Sequence, residues 1–213
     1  MSAAEWAAVA LSLKVACVAT AVSLPVGVVV AYGLARRRVP GQPLVENLVQ
    51  LPLVLPPVVT GYGLLVFFSG SVAFTWLAAV LAAAVMGFPL LVQTARVAFE
   101  AVDPELEDAA RVDGATRWSV FRRVTLPLAG RGIAAGAALA FARALGEFGA
   151  TIVVAGNIPG RTQTIPLAIF SRLSAVGGEA AALRLVAVSV ALSVGSLLVY
   201  TFLTRRLHHA ETD

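Results

Sequence analysis

FEAVDPELEDAARVDGATRWSVFRRVTLP, residues 99 to 127, is the one long polar stretch between apolar runs long enough to cross a membrane. It carries the acids Glu100, Asp103, Glu105, Glu107, Asp108 and Asp113 and the arginines Arg111, Arg117, Arg122 and Arg123. What surrounds it sets the class. Of the 213 residues 59% are hydrophobic and only 13% charged, and the mean hydropathy is +0.86. A soluble fold of this composition would have too little polar surface to cover its exterior, so the chain reads as an all-α integral membrane protein. Lys and Arg exceed Asp and Glu by 16 to 12, but the arginines gather at the ends of apolar runs. That pattern reports topology, not a nucleic-acid patch.

Outward from the polar stretch, five crossings are expected, at about 15–35, 51–68, 74–93, 132–155 and 185–203, all within one membrane domain. The first run is free of charge from Val15 to Ala35, enough to span a hydrocarbon core of about 30 Å at about 1.5 Å per residue. Lys14 at its start is expected to snorkel and Trp6 to sit at the interface. Pro25 and Gly27 are expected to bend it. Cys17, the single cysteine, has no partner for an intrachain disulfide and is expected as a small packing residue. The N-terminal segment lacks the basic start and early cleavage site of a signal peptide. Arg36, Arg37 and Arg38 place the end of the first run in the cytoplasm, hence the N-terminus outside and the C-terminus inside. Arg96, and Arg205, Arg206, His208 and His209 after the last run, agree with this orientation. Pro52, Pro56 and Pro57 in the second run free backbone carbonyls that lipid cannot satisfy, which predicts a kinked helix near the protein interior.

The polar stretch predicts a helix, a glycine turn and a second helix. Asp103 caps, Pro104 suits the first helical position, and Glu105, Glu107 and Asp108 favour the positive end of the dipole. Glu107 and Arg111 form an i,i+4 pair in the favourable order. Gly114 suits a left-handed cap, and Thr116 caps a second helix with Trp118 and Phe121 that stops before Pro127. Leu106, Ala109 and Ala110 form a small outer face, which serves either the groove of a partner protein or this chain's own membrane helices.

Two charges, Arg143 and Glu147, interrupt the fourth run. Burying a lone Arg at the bilayer centre costs at least about 2.5–3.5 kcal/mol, so the two are expected to pair, either along a watery path or as a structural lock between helices. Beyond them the outer segment 156–184 holds Asn157, Arg161, Thr162, Gln163 and Thr164, candidates for a gate or a contact with a binding protein, or else a solvated loop. Its part from Pro166 to Ala175 allows a short interfacial helix. His208 and His209 show no metal-ligand pattern. The chain has no G-x-x-x-x-G-K-[ST] phosphate loop, and no internal repeat of the kind expected of an autonomous secondary transporter.

The stretch Asp108-Ala109-Ala110-x3-Gly114-x9-Val124-x-Leu126-Pro127 resembles the EAA loop of importer-type ABC transporter permeases, with Asp for Glu and Val for Ile. The segments Ser12 to Ala16, Val39 to Tyr62, Val80 to Val92 and above all Leu139 to Phe170 are similar to the molybdate branch. Tungstate and sulfate permeases share LGEFGA-like stretches. One departure is a short connection between the second and third crossings. The resemblance implies a type I ABC importer permease fold in a bacterial inner membrane, two copies around one path, and no cofactor. It implies an ATPase dimer below, which carries the ATP hydrolysis, and a periplasmic or lipid-anchored binding protein above. It assigns ATPase docking to Glu107, Asp108, Ala109, Ala110, Arg111 and Gly114. With the physical reading of the charges, it points to Arg143, Glu147, Asn157 and Thr162 as translocation path or gate.

Overall fold

The computed structural model describes residues 1–36, 41–68 and 72–208. Arg37, Arg38 and His209 lie outside the described residues. Every regular element among them is helical. α1 is Ala3–Arg36, α2 Gln42–Val54, α3 Pro57–Phe67, α4 Trp76–Glu100 and α5 Pro104–Val112. α6, Arg117–Val120, passes through a π-helical turn, Phe121–Thr125, into α7, Leu126–Leu145. α8 is Gly149–Val154, α9 Ile165–Leu173 and α10 Glu179–His208. Four segments are long and apolar enough to cross a membrane: α1, α4, the run from α6 through α7, and α10 as far as Phe202. α2 and α3 make a fifth, broken candidate, bent by 110°.

α4 is the centre of the bundle, packed between α1 and α7, with α10 on the far side of α7. The seams are made largely of alanine: Ala16 and Ala19 of α1 meet Ala78, Ala79, Ala82 and Ala83 of α4 in one core cluster. Small residues let helix backbones approach closely, the usual basis of packing where lipid removes the hydrophobic drive. A second cluster at the other end of the bundle joins Ala31, Leu34, Val92, Ala95, Phe99 and Ile133. Two long-range polar contacts place the first half of α1 on one side with the starts of α9 and α10. Glu5 pairs with Arg184, 179 positions away, at 2.7 Å, and Ser12 Oγ accepts the Ile165 amide, 153 positions away, at 2.7 Å.

Several elements differ from the expected ones. α1 begins well before Val15 and is unbroken through Pro25 and Gly27, and Gly27 faces Leu91 of α4. Lys14 Nζ lies 3.8 Å from the Trp76 ring centroid, so its partner is an aromatic face on α4. Cys17 is exposed on the single chain, not a core packing residue. The prolines of the second run break the helix at Leu55 and Pro56, and of α2 and α3 only Gly61 is buried within this chain. The kinked helix in the interior is thus a bent pair on the flank.

The helix expected to stop before Pro127 runs on. Leu126 N–H donates to the Phe121 carbonyl, five residues back, and this wide turn leaves room for the Pro127 ring where an α-turn would clash. At its other end the run stops at Leu145, short of the expected Ala155. Gly146, Glu147 and Phe148 separate α7 from α8, and Glu147 Oε1 accepts the Ala150 amide at 2.8 Å. A side chain that takes a backbone donor competes with continuation of the helix.

Candidate functional site

α5 forms as its sequence dictates. Asp103 accepts the Glu105 amide at 2.9 Å. Gly114 takes φ +88°, the left-handed conformation that closes the helix. Thr116 accepts the Ser119 amide at 3.3 Å and starts α6. The outer face carries Asp108 and Ala109, both exposed, with Leu106 half exposed beside them. Ala110 is half-buried, and Arg111 reaches back to Asp108 along the surface.

Glu107 departs from its expected place. It is the one buried residue of α5, 4% exposed, and its carboxylate points inward. Thr125 Oγ1–H donates to its Oε1 at 2.8 Å, Arg36 Nη2 lies 3.1 Å from the same oxygen, and Arg111 Nη2 lies 3.3 Å from Oε2. Arg36 Nη2 also donates to the Val102 carbonyl at 2.6 Å. Arg36, expected only as a topology marker, is therefore part of the loop's foundation. Nothing in the local sequence links it to Glu107.

Beneath α5 lies an aromatic cluster. The Tyr32 ring meets Phe121 at 4.7 Å and Phe99 at 5.4 Å, and Trp118 stacks on Phe121 at 5.5 Å. Edge-on and stacked pairs of this kind add to burial and fix ring orientation. Together they bind α1, α4 and the π-turn under the loop, and Tyr32, Arg36, Glu107, Arg117, Trp118 and Phe121 line an open groove of about 850 Å³. A second polar belt crosses the same end of the bundle: Arg96 of α4 pairs with Glu46 of α2 at 2.8 Å and with Glu100 at 2.7 Å.

The Arg143–Glu147 pair sits at the opposite end of α7, roughly 27 Å from Thr125 at about 1.5 Å per residue. Arg143 Nη1 lies 2.8 Å from Glu147 Oε2, an ion contact made from the last turn of α7 to the break beyond it. The Glu147 side chain is 1% exposed and that of Arg143 28%. The cation therefore keeps an accessible edge, and the carboxylate does not.

The segment after α8 is knitted by its own side chains. Asn157 Nδ2–H donates to Ser171 Oγ at 2.7 Å, and Gln163 Nε2–H donates to Asn157 Oδ1 at 2.9 Å. Thr162 is fully buried: it accepts the Ile158 amide at 3.0 Å and donates to the Gly156 carbonyl at 3.3 Å. Arg161 is exposed. Asn157 thus ties the loop to α9, and Thr162 closes its turn. Among the described residues no three His, Cys, Asp or Glu side chains converge as metal ligands.

Residues 23–209 match the family described as binding-protein-dependent transport system inner membrane component. The chain belongs to this family. This inner membrane component is 51% identical to the molybdenum transport system permease protein ModB of Escherichia coli K12, over 94% of each chain. It is 38% identical to the sulfate transport system permease protein CysT of the same strain, over 84% of this chain and 68% of that one. Its fold matches a solved structure of an amino acid ABC transporter with histidines at a TM-score of 0.70 and 19% identity, covering 96% of this chain and 94% of that one.

Proposed function

We propose that the chain is the membrane permease of an ATP-driven importer of molybdate, working with a separate ATPase and a substrate-binding protein and carrying no catalytic site of its own. The observation that carries this reading is α5. It is a short helix whose outer face is small and open at Ala109 and whose inner carboxylate is bound to the membrane helices. A partner groove can approach such a face closely and push on it. Near full-length identity to ModB, higher than to the sulfate relative, supports the molybdate assignment. In this reading Asp108, Ala109, Ala110, Arg111 and Gly114 meet the ATPase, and Glu107 stands behind them.

Two copies enclose one path, and the flank of α2 and α3, almost unburied within one chain, is where a second copy adds cover. The N-terminus lies outside and the C-terminus in the cytoplasm, as the arginines around α5 support. The accessible edge of Arg143 attracts the oxyanion, and Glu147 offsets its charge, so the anion passes and is not stored. Asn157 and Thr162 act on the gate by holding the outer loop in shape. Closing the ATPases moves the α5 helices together and rocks the bundle between inward-open and outward-open states.

The test is uptake of radiolabelled molybdate by the permease reconstituted with its ATPase and binding protein. Uptake is expected to need ATP and all three proteins. Ala109→Arg, which fills the small face, and Gly114→Val, which forces a β-branched residue into a left-handed conformation, are expected to abolish uptake while the protein still inserts. Normal uptake in both would refute the docking role. Uptake without the ATPase would indicate an autonomous transporter, and equal uptake of sulfate would refute the molybdate assignment.

A further inference from the structure

The buried carboxylate of Glu107 joins parts of the molecule that the chain itself connects only through short loops. α5 hangs from α4 by residues 101–103 and from α6 by residues 113–116. Such connections bend easily, so a push on α5 would be absorbed there unless something else fixed the helix. Glu107 supplies that fixing. Its Oε1 takes the Thr125 hydroxyl of the π-turn that feeds α7 and also meets Arg36, the last residue of α1. Arg36 in turn holds the Val102 carbonyl, just past the end of α4. Two membrane helices therefore meet at one carboxylate, and the end of a third is held through Arg36.

We propose that Glu107 is a positioning residue for energy coupling. It makes α5 one rigid piece with the end of α1 and the start of α7, so that displacement of α5 reaches both helices at once. This inference rests on the docking reading of α5 given above, and it moves Glu107 from the docking face to the linkage behind it. The surroundings fit a structural clamp and not a surface contact. Arg36 Nε is buried without a hydrogen-bond partner, so loss of Glu107 would leave that guanidinium with little but the Val102 carbonyl. Breaking a buried pair on one side is far more disruptive than its net contribution suggests. The surface pair of Arg111 with Asp108 is solvated and carries little by comparison. Thr125 is fully buried and donates to Glu107, not to the backbone one turn back, so the π-turn is bound to α5 through its side chain.

Two measurements test this. In the isolated permease, hydrogen–deuterium exchange over residues 104–112 is expected to be about tenfold faster in Glu107→Gln and Thr125→Val, as follows from loss of a buried charge-assisted hydrogen bond. Exchange in α10 should not change. Thr125→Ser, which keeps the hydroxyl, should restore slow exchange, and Glu105→Gln on the exposed side should have no effect. In the complete importer, the molybdate carried per ATP hydrolysed is expected to fall at least about fivefold in Glu107→Gln and Thr125→Val, with ATPase activity and assembled complex retained. Unchanged exchange would overturn the clamp. Uptake and ATP hydrolysis that fall in equal proportion would overturn its role in coupling and leave only a structural one. A wild-type importer that hydrolyses ATP but carries no molybdate would count against the substrate assignment, whereas the exchange comparison decides on the clamp by itself.

Discussion

Replacing Gly61 by alanine tests how α3 is seated. A methyl built there lies 2.6 Å from the Ala150 carbonyl oxygen and 2.7 Å from its Cα, whereas ordinary contact begins at 3.4 Å. α3 and α8 would have to part by roughly 0.8 Å, and the obstacle is backbone, which cannot rotate away as a side chain can. Overpacking of this kind costs about 1–3 kcal/mol. Alanine regains up to about 1 kcal/mol of helix propensity, so the net loss is expected to reach about 2 kcal/mol. Gly63, in the same helix, has nothing within 4 Å of such a methyl. Gly63→Ala should therefore stabilise by about 0.4–1 kcal/mol. Unfolding of the two variants in mixed micelles with a denaturing detergent measures the difference, in which helix propensity cancels. A Gly61→Ala protein as stable as Gly63→Ala would refute the close seating. The same displacement would disturb the Ala150 amide that Glu147 accepts, so uptake should fall in Gly61→Ala and persist in Gly63→Ala.

Other outcomes follow from the polar contacts. Arg143→Ala leaves the Glu147 side chain, 1% exposed, without its cation, and one-sided loss of a buried pair costs about 3–5 kcal/mol. Uptake or the amount of assembled protein should drop much more than in Arg172→Ala, on α9, and equal mild effects would count against a special role for the pair. Ser12→Ala strands the buried Ile165 amide, at a cost of about 1–3 kcal/mol. Its unfolding midpoint should fall, and an unchanged midpoint would show that the α1 to α9 contact is dispensable.

Local chemistry was legible where one turn of chain holds both partners. Asp103, Gly114 and Thr116 cap as their residue types require, and the glycine turn between two helices follows from them. The prolines of the second run announced a disruption but not its 110° angle, because the seating of α3 depends on Gly61 against Ala150, residues distant in sequence. The stop after Leu145 was missed for a similar reason. An apolar run gives no sign that Glu147 will accept the Ala150 amide in the first turn of α8, and hydropathy alone carries the helix through it. The direction of Glu107 could not be read from a short helix that is polar on several sides.

The sequence by itself determined the all-helical membrane class, the polar loop and its caps, since hydropathy and capping act over a few residues. It also carried the loop's motif spacing, which survives in one dimension. Only the tertiary structure decided which acid of the loop is exposed and which faces inward, and that Arg36 closes on Glu107 and Val102. It alone set the Glu5–Arg184 and Ser12–Ile165 contacts, across 179 and 153 positions. These depend on which helices lie side by side, and that is fixed by alanine seams whose partners no local pattern identifies.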